Sequence, residues 1–221
     1  MGITMQEFEF ESDHGSLSAT LNMPVDADCC LLLAHGAGAD HRHRHMQALA
    51  ISFGDVGIAT LRFNFPFKQQ GRHRVDSKSV SIDCIVRATE VLREQTDLPL
   101  FIGGHSFGGR MATHAVAEGL IECTGLVLCS FPLHPAGKPG IARAKHLKEI
   151  DKPMLFLSGT RDGLAQKDLL TEVCSMPGTT LHWLETADHP FSILKRKRDP
   201  LVDVYDEAAQ AAGRFVAGII K

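Results

Sequence analysis

Leu100-Phe101-Ile102-Gly103-Gly104-His105-Ser106-Phe107-Gly108-Gly109-Arg110 is the stretch on which the reading of this chain turns. A short apolar run, the mark of a buried strand, passes without a linker into the helical spacing that follows Ser106. At the junction stands Gly104-His105-Ser106-Phe107-Gly108, the G-x-S-x-G pattern of a nucleophile elbow in the strand-to-helix context it requires. The reason for the glycines is steric. A strand that reverses sharply into a helix holds its middle residue in a strained backbone conformation, and side chains two positions to either side would collide. Gly103 and Gly109 allow still closer approach. Ser106 therefore reads as a nucleophile, the plain alternative being a glycine-rich turn that caps a helix.

Outward from this point, short apolar runs alternate with longer amphipathic segments, which predicts a mostly parallel sheet covered by helices on both faces. Buried strands are expected at 29–34, 58–64, 100–103, 125–129, 154–158 and 180–185, and helices at about 42–55, 77–95, 107–118, 141–149, 166–175 and 203–220. In the last helix Val204, Ala208, Ala211, Ala212, Phe215 and Ile219 make one apolar stripe. The beginning differs. Segments 7–11 and 16–24 alternate apolar and polar residues and read as an antiparallel edge hairpin turning at Asp13-His14-Gly15, which brings the count to about eight strands.

With 221 residues, 44% of them hydrophobic and 22% charged, the chain is expected to fold as one globular domain over 1–221. A formal net charge of -3 argues against a protein that grips nucleic acid. The six cysteines form no CxxC pair and read as reduced, mostly buried thiols, Cys29-Cys30 included. The beginning lacks a basic flank followed by an apolar signal core, the myristoylation pattern fails at Gln6, and the end at Lys221 carries no prenylation box. No run is long enough for a membrane span, so the expectation is no membrane and a cytoplasmic location.

In open parallel sheets ligands bind beyond the carboxyl ends of the strands, so each loop after a strand is a place for chemistry. His35-Gly36-Ala37-Gly38 follows the strand at 29–34 and can supply a backbone N–H, from Ala37, to an oxyanion; the N–H of Phe107, at a helix N-terminus, supplies a second. Gly159-Thr160-Arg161-Asp162-Gly163 ends one strand and Asp188-His189-Pro190-Phe191 follows another. A serine hydroxyl needs an imidazole to take its proton, and the imidazole needs a carboxylate to hold its tautomer. The chain order Ser106, Asp162, His189 matches a triad built on such a sheet. Asp188 competes as the acid, but as the sequence neighbour of His189 it is poorly placed to reach Nδ1. His35, Gly36, His105 and His134 are further candidates for contact with substrate.

These residues together resemble the α/β-hydrolase family over nearly the whole chain. More narrowly, Ala34-His35-Gly36-Ala37-Gly38, the elbow with Gly109-Arg110, Phe131-Pro132-Leu133-His134-Pro135 with Gly137-Lys138-Pro139, and Gly159-Thr160-Arg161-Asp162 resemble the small subgroup that contains testis-expressed protein 30 and KAT8 regulatory NSL complex subunit 3, often labelled dienelactone hydrolase-like. The resemblance implies eight mostly parallel strands and a Ser-His-Asp site. Dienelactone hydrolases proper use Cys where this chain has Ser106, and the subgroup includes chromatin-complex subunits. The segment 130–152, where many relatives insert a cap domain, has room for a loop and one short helix, so an open, cap-less site is expected.

The expected function is a serine hydrolase acting on carboxylic esters or thioesters of a small-molecule acyl substrate, with no cofactor and no metal. A non-catalytic interaction module on the same fold is the competing reading. Asp40-His41-Arg42-His43-Arg44-His45 fits no HExxH or HxHxDH metal pattern and reads as the loop and first turn of a helix. If its cations and those of Arg72-His73-Arg74 converged on the pocket, the substrate would be anionic. Lys195-Arg196-Lys197-Arg198 reads as a solvated face, Lys138 as a neighbour of the site with His134, and Trp183 and Tyr205 as packing residues.

Overall fold

The computed structural model describes residues 2–198 and 202–220, the side chain of Lys195 excepted; the readings made at Met1 and Lys221 lie outside the described residues. Eight strands form one sheet in the order β1-β2-β4-β3-β5-β6-β7-β8. They are β1 (Ile3–Ser12), β2 (Gly15–Pro24), β3 (Cys29–Ala34), β4 (Ile58–Phe63), β5 (Leu100–His105), β6 (Gly125–Cys129), β7 (Met154–Gly159) and β8 (Thr179–Leu184). β1 and β2 form the expected hairpin, longer at its start than the alternation suggested, and β2 runs antiparallel to β4. The remaining neighbours are parallel.

The helices are α1 (Arg44–Asp55), α2 (Pro66–Gln69), α3 (Lys78–Gln95), α4 (Phe107–Ala117), α5 (Lys167–Val173) and α6 (Val204–Ile220). Period-two alternation along each strand divides the interior in two. Cys30, Leu32 and Ala34 of β3 meet Ile85, Ala88, Met111 and Ala112 of α3 and α4. Cys29, Leu31 and Leu33 meet Leu49 and Phe53 of α1 and Ala208, Ala212 and Val216 of α6. Each buried Leu, Ile, Val, Met or Phe among them contributes about 1.5–3 kcal/mol, and the alanines less. No helix among the described residues is long and apolar enough to cross a membrane.

Two expectations are corrected and one element is added. The segment expected as a helix at 141–149 is a 3-10 helix, Ala142–Glu149. Only Ala144 and Leu147 in it are buried, three residues apart, and that spacing suits three residues per turn. The strand expected as buried at 180–185 is β8, an edge strand in which only Leu184 is fully covered, because it has one neighbour. The short α2 was not expected; Pro66 at its first position is the only local signal for it.

The order β4-β3-β5 places the site. The chain leaves β3 for β4 on one side and then crosses back to β5 on the other, so the carboxyl ends of β3 and β5 flank a switch point. The Gly36–Ala39 turn follows β3, and Ser106 follows β5.

Candidate active site

Ser106 sits between the end of β5 and the start of α4 with φ of 53° and ψ of -114°. For a residue with a side chain this costs on the order of 1–3 kcal/mol, and the surroundings hold it there. Its N–H donates to the Cys129 carbonyl at 2.9 Å. The elbow glycines are explained by β3: a Cβ on Gly104 would lie 2.2 Å from the Ala34 carbonyl oxygen, and one on Gly108 would lie 2.4 Å from the same atom. No side chain fits at either position, so α4 and β5 close on the end of β3.

The His189 ring joins the loops that follow β5 and β7. Its Nε2 lies 2.8 Å from Ser106 Oγ, and its Nδ1 lies 2.9 and 3.0 Å from the two oxygens of Asp162. The Asp162 carboxylate is fully buried and also accepts the Leu164 N–H at 2.8 Å. An ionised acceptor in that position requires Nδ1 to carry the proton, which leaves the Nε2 lone pair facing the serine hydroxyl. Asp188, the competing acid, is used otherwise: its carboxylate accepts the Ser192 N–H at 2.8 Å and shapes the loop after His189. The Ala37 and Phe107 N–H groups donate to no other group among the described residues. Ala37 lies in the turn closed by the Ala39 N–H to the Gly36 carbonyl at 3.1 Å, and Phe107 opens α4.

The other substrate candidates divide. Gly36 and His105 line the cleft that contains Ser106 and His189. His105 Nε2–H, however, donates to the His189 carbonyl at 3.0 Å, and its ring lies 5.2 Å from the His189 ring and packs on Gly36, where a Cβ would come within 2.8 Å of Nδ1. One imidazole thus touches the elbow, the Gly36 turn and the histidine loop, and burial pushes its pKa down to about 4. His35 and His134 are corrections. His35 has no exposed surface; its Nδ1–H donates to the Gly36 carbonyl at 2.8 Å and its Nε2 accepts the Phe65 N–H at 3.1 Å, so it braces the turn from beneath. His134 is 3% exposed, donates from Nδ1 to the Pro135 carbonyl at 2.9 Å and is absent from the cleft lining, as is Lys138. Backbone groups satisfy both nitrogens of His35 but only Nδ1 of His134, whose Nε2 is buried without a partner among the described residues, and a loop sequence displays neither outcome.

The histidine-rich segment resolves into separate tasks. His41 donates from its backbone and from Nδ1 to Asn64 Oδ1, and buried Arg62 donates to the His41 carbonyl at 2.6 Å and to Asn22 Oδ1 at 2.9 Å. Arg62, a lone cation in an apolar strand, thereby fixes the segment between the Gly36 turn and α1; sequence reasoning passed it over. His43 caps α1, its ring accepting the His45 N–H. His45 lies against the His105 ring at 4.4 Å and bonds Tyr205 through Nδ1 at 3.0 Å. Among the described residues no three His, Cys, Asp or Glu side chains converge as a metal would require. Arg42 pairs with Glu7 and Arg72 with Asp76. Arg198 of the basic run bonds Glu207 and the Glu185 carbonyl, tying α6 to the end of β8, while the side chain of Lys195 lies outside the described residues.

The cleft has a volume of about 420 Å³ and is lined by Gly36, Ala37, Gly38 and Ala39 on the β3 side, with Leu164 and Pro190 from the loops after β7 and β8. His43, His45, His105, Ser106 and His189 complete the lining. A larger hollow of about 570 Å³ on the outer face of α3, bounded by Arg87, Glu90, Arg93 and Glu94, shares no residue with it.

Known proteins share this arrangement of strands. The dienelactone hydrolase from Anabaena variabilis superposes with a TM-score of 0.78 at 18% identity, covering 100% of both chains. XC6422 from Xanthomonas campestris, described as an a/b serine hydrolase without lid, gives 0.73 at 19% identity over 97% of this chain and 96% of that one. The esterase domain of a Rhodothermus marinus protein gives 0.74 at 17% identity over 99% and 100%. Similarity at these identities concerns the fold. In sequence, residues 27–217 match the family described as "Alpha/beta hydrolase domain". That match takes in every strand from β3 to β8 and all three loops around Ser106, and on it the chain belongs to the α/β-hydrolase family.

Proposed function

We propose that the protein is a serine hydrolase that cleaves carboxylic esters or thioesters through an acyl-enzyme. The observation that carries this reading is the unbroken hydrogen-bonded series from Asp162 through His189 to Ser106 Oγ at the floor of a cleft.

Ser106 Oγ attacks the acyl carbon while its proton passes to His189 Nε2. The carbonyl π pair moves to oxygen, and the Ala37 and Phe107 N–H groups receive the charge; one such donor contributes about 3–4 kcal/mol to the transition state. Asp162 holds Nδ1–H and stabilises the imidazolium. Collapse of the tetrahedral species expels the alcohol or thiol, which takes the proton from Nε2. Water then repeats the sequence against the acyl-serine, giving the carboxylic acid and restoring the hydroxyl. His105 acts as a positioning residue, since its bond to the His189 carbonyl holds the backbone that carries the base.

A fluorophosphonate probe and a panel of short-chain aryl esters test the proposal. Labelling and turnover are expected in the native protein and are lost in Ser106→Ala and in His189→Ala. Labelling that persists in Ser106→Ala assigns the nucleophile elsewhere and refutes the assignment, and inertness of the native protein to both reagents refutes hydrolysis altogether.

A further inference from the structure

The cleft also bears on what is cleaved, an inference that rests on the hydrolase reading above. Its walls are apolar: Ala37 and Ala39 on the β3 side, Leu164 and Pro190 on the side of β7 and β8. Its polar side chains are Ser106 and four imidazoles, each with one or both ring nitrogens engaged within the protein, while His45 Nε2 and His105 Nδ1 are buried without a partner among the described residues. His189 serves Ser106 and Asp162, His105 holds the His189 carbonyl, His45 bonds Tyr205, and His43 Nδ1 caps α1.

No arginine or lysine lines the cleft, and two of the cations expected to make the pocket attractive to an anion are engaged elsewhere. Arg42 reaches Glu7 at 2.8 Å and Arg72 reaches Asp76 at 2.6 Å. Arg62 is buried under the His41 carbonyl, and Arg161 donates to the Thr186 carbonyl at 2.9 Å. A carboxylate drawn into such walls loses hydration with no countercharge to replace it.

Gly38 supplies the second observation. It lines the cleft, its φ is outside the left-handed region, and a Cβ built on it meets nothing within 4 Å. Neither backbone strain nor packing demands glycine there, in contrast to Gly104 and Gly108. What the missing side chain leaves free is volume in the exposed part of the cleft that contains Ser106.

We propose that the substrate is an ester or thioester of a compact, uncharged acyl group, seated between Gly38 and Leu164, and that these two residues set acyl size and charge. The leaving group lies toward the open mouth.

The test compares kcat/KM for p-nitrophenyl acetate, p-nitrophenyl butyrate and the p-nitrophenyl half-ester of succinate in the native protein and two variants. Native protein is expected to prefer butyrate to the succinate half-ester by about 100-fold or more. Leu164→Arg narrows that ratio to about tenfold by raising turnover of the half-ester. Gly38→Leu lowers the butyrate-to-acetate ratio by about tenfold. Equal or better turnover of the half-ester by the native protein overturns the proposal without any variant, and an unchanged butyrate-to-acetate ratio in Gly38→Leu overturns the role of Gly38. Native protein that cleaves none of the esters and resists the fluorophosphonate probe marks failure of the hydrolase reading itself, and the substrate assignment falls with it.

Discussion

Acid should unfold this protein through imidazoles that the fold keeps neutral, and His35 gives the cleanest measurement. Both its nitrogens are committed, one donating to Gly36 and the other accepting from Phe65, and its ring is packed edgewise against Phe65 and Phe67. Burial lowers its pKa to about 4, against the opposing pull of the Gly36 carbonyl, and in the unfolded chain it returns to about 6.5. Between those values the unfolded state binds the extra proton, so stability falls as pH falls. The stability is present above about pH 6.5 and drains away towards pH 4. From the two pKa values, one such group loses about 2 kcal/mol between pH 7 and pH 5 and about 3 kcal/mol by pH 4. That is a sizeable share of a total of roughly 5–15 kcal/mol. The assay is urea unfolding of native protein and His35→Gln at pH 7 and pH 5; the glutamine can accept from Phe65 but does not titrate. The native protein should lose about 2 kcal/mol more than the variant over this interval. Equal losses would mean that His35 is not held neutral, and the argument from its burial would fail.

Further outcomes follow from the geometry. His105→Phe keeps an aromatic ring on Gly36 but removes the donor to the His189 carbonyl; kcat should fall by about 10- to 100-fold with KM within about twofold, and His105→Gln should restore most of it. Equal loss in both variants would assign the residue to packing alone. Asp162→Asn should lower kcat by about 10⁴-fold while the urea midpoint changes little, because the bond from the Leu164 N–H can persist; activity within tenfold of native would give the role of acid to another group. Ser106→Gly should abolish turnover and raise the melting temperature by about 2–4 °C, since glycine adopts the elbow backbone without strain; a lower melting temperature would contradict the strain at φ of 53°.

What could be read before any coordinates divides by the range of the physics. The elbow is a local steric problem, solved within a few residues, and Gly104, Ser106 and Gly108 announce it. Chain order then carried Asp162 and His189, because loops after successive strands gather on one rim. The acid was separable from Asp188 by reach alone, and the Ser192 contact shows what Asp188 does instead. Burial of single polar residues was not legible. His35 and His134 look like loop histidines, yet partners 30 residues away in one case and next door in the other took them inside. The task of His105 depends on a carbonyl 84 positions distant. Exposure of β8 depended on its having no second neighbour, which apolar content does not reveal.

The edge strand β1 carries a consequence of its own. β1 presents ten residues along an unpaired margin, with Glu7, Glu9 and Glu11 exposed at alternate positions. A second copy approaching edge to edge would bring carboxylate against carboxylate, which discourages fibre-like stacking at neutral pH. Replacing the acids by glutamine should yield larger species on gel filtration, and unchanged elution would deny them this part. Charge on a strand remote from Ser106 would then govern how concentrated a solution of the protein can become.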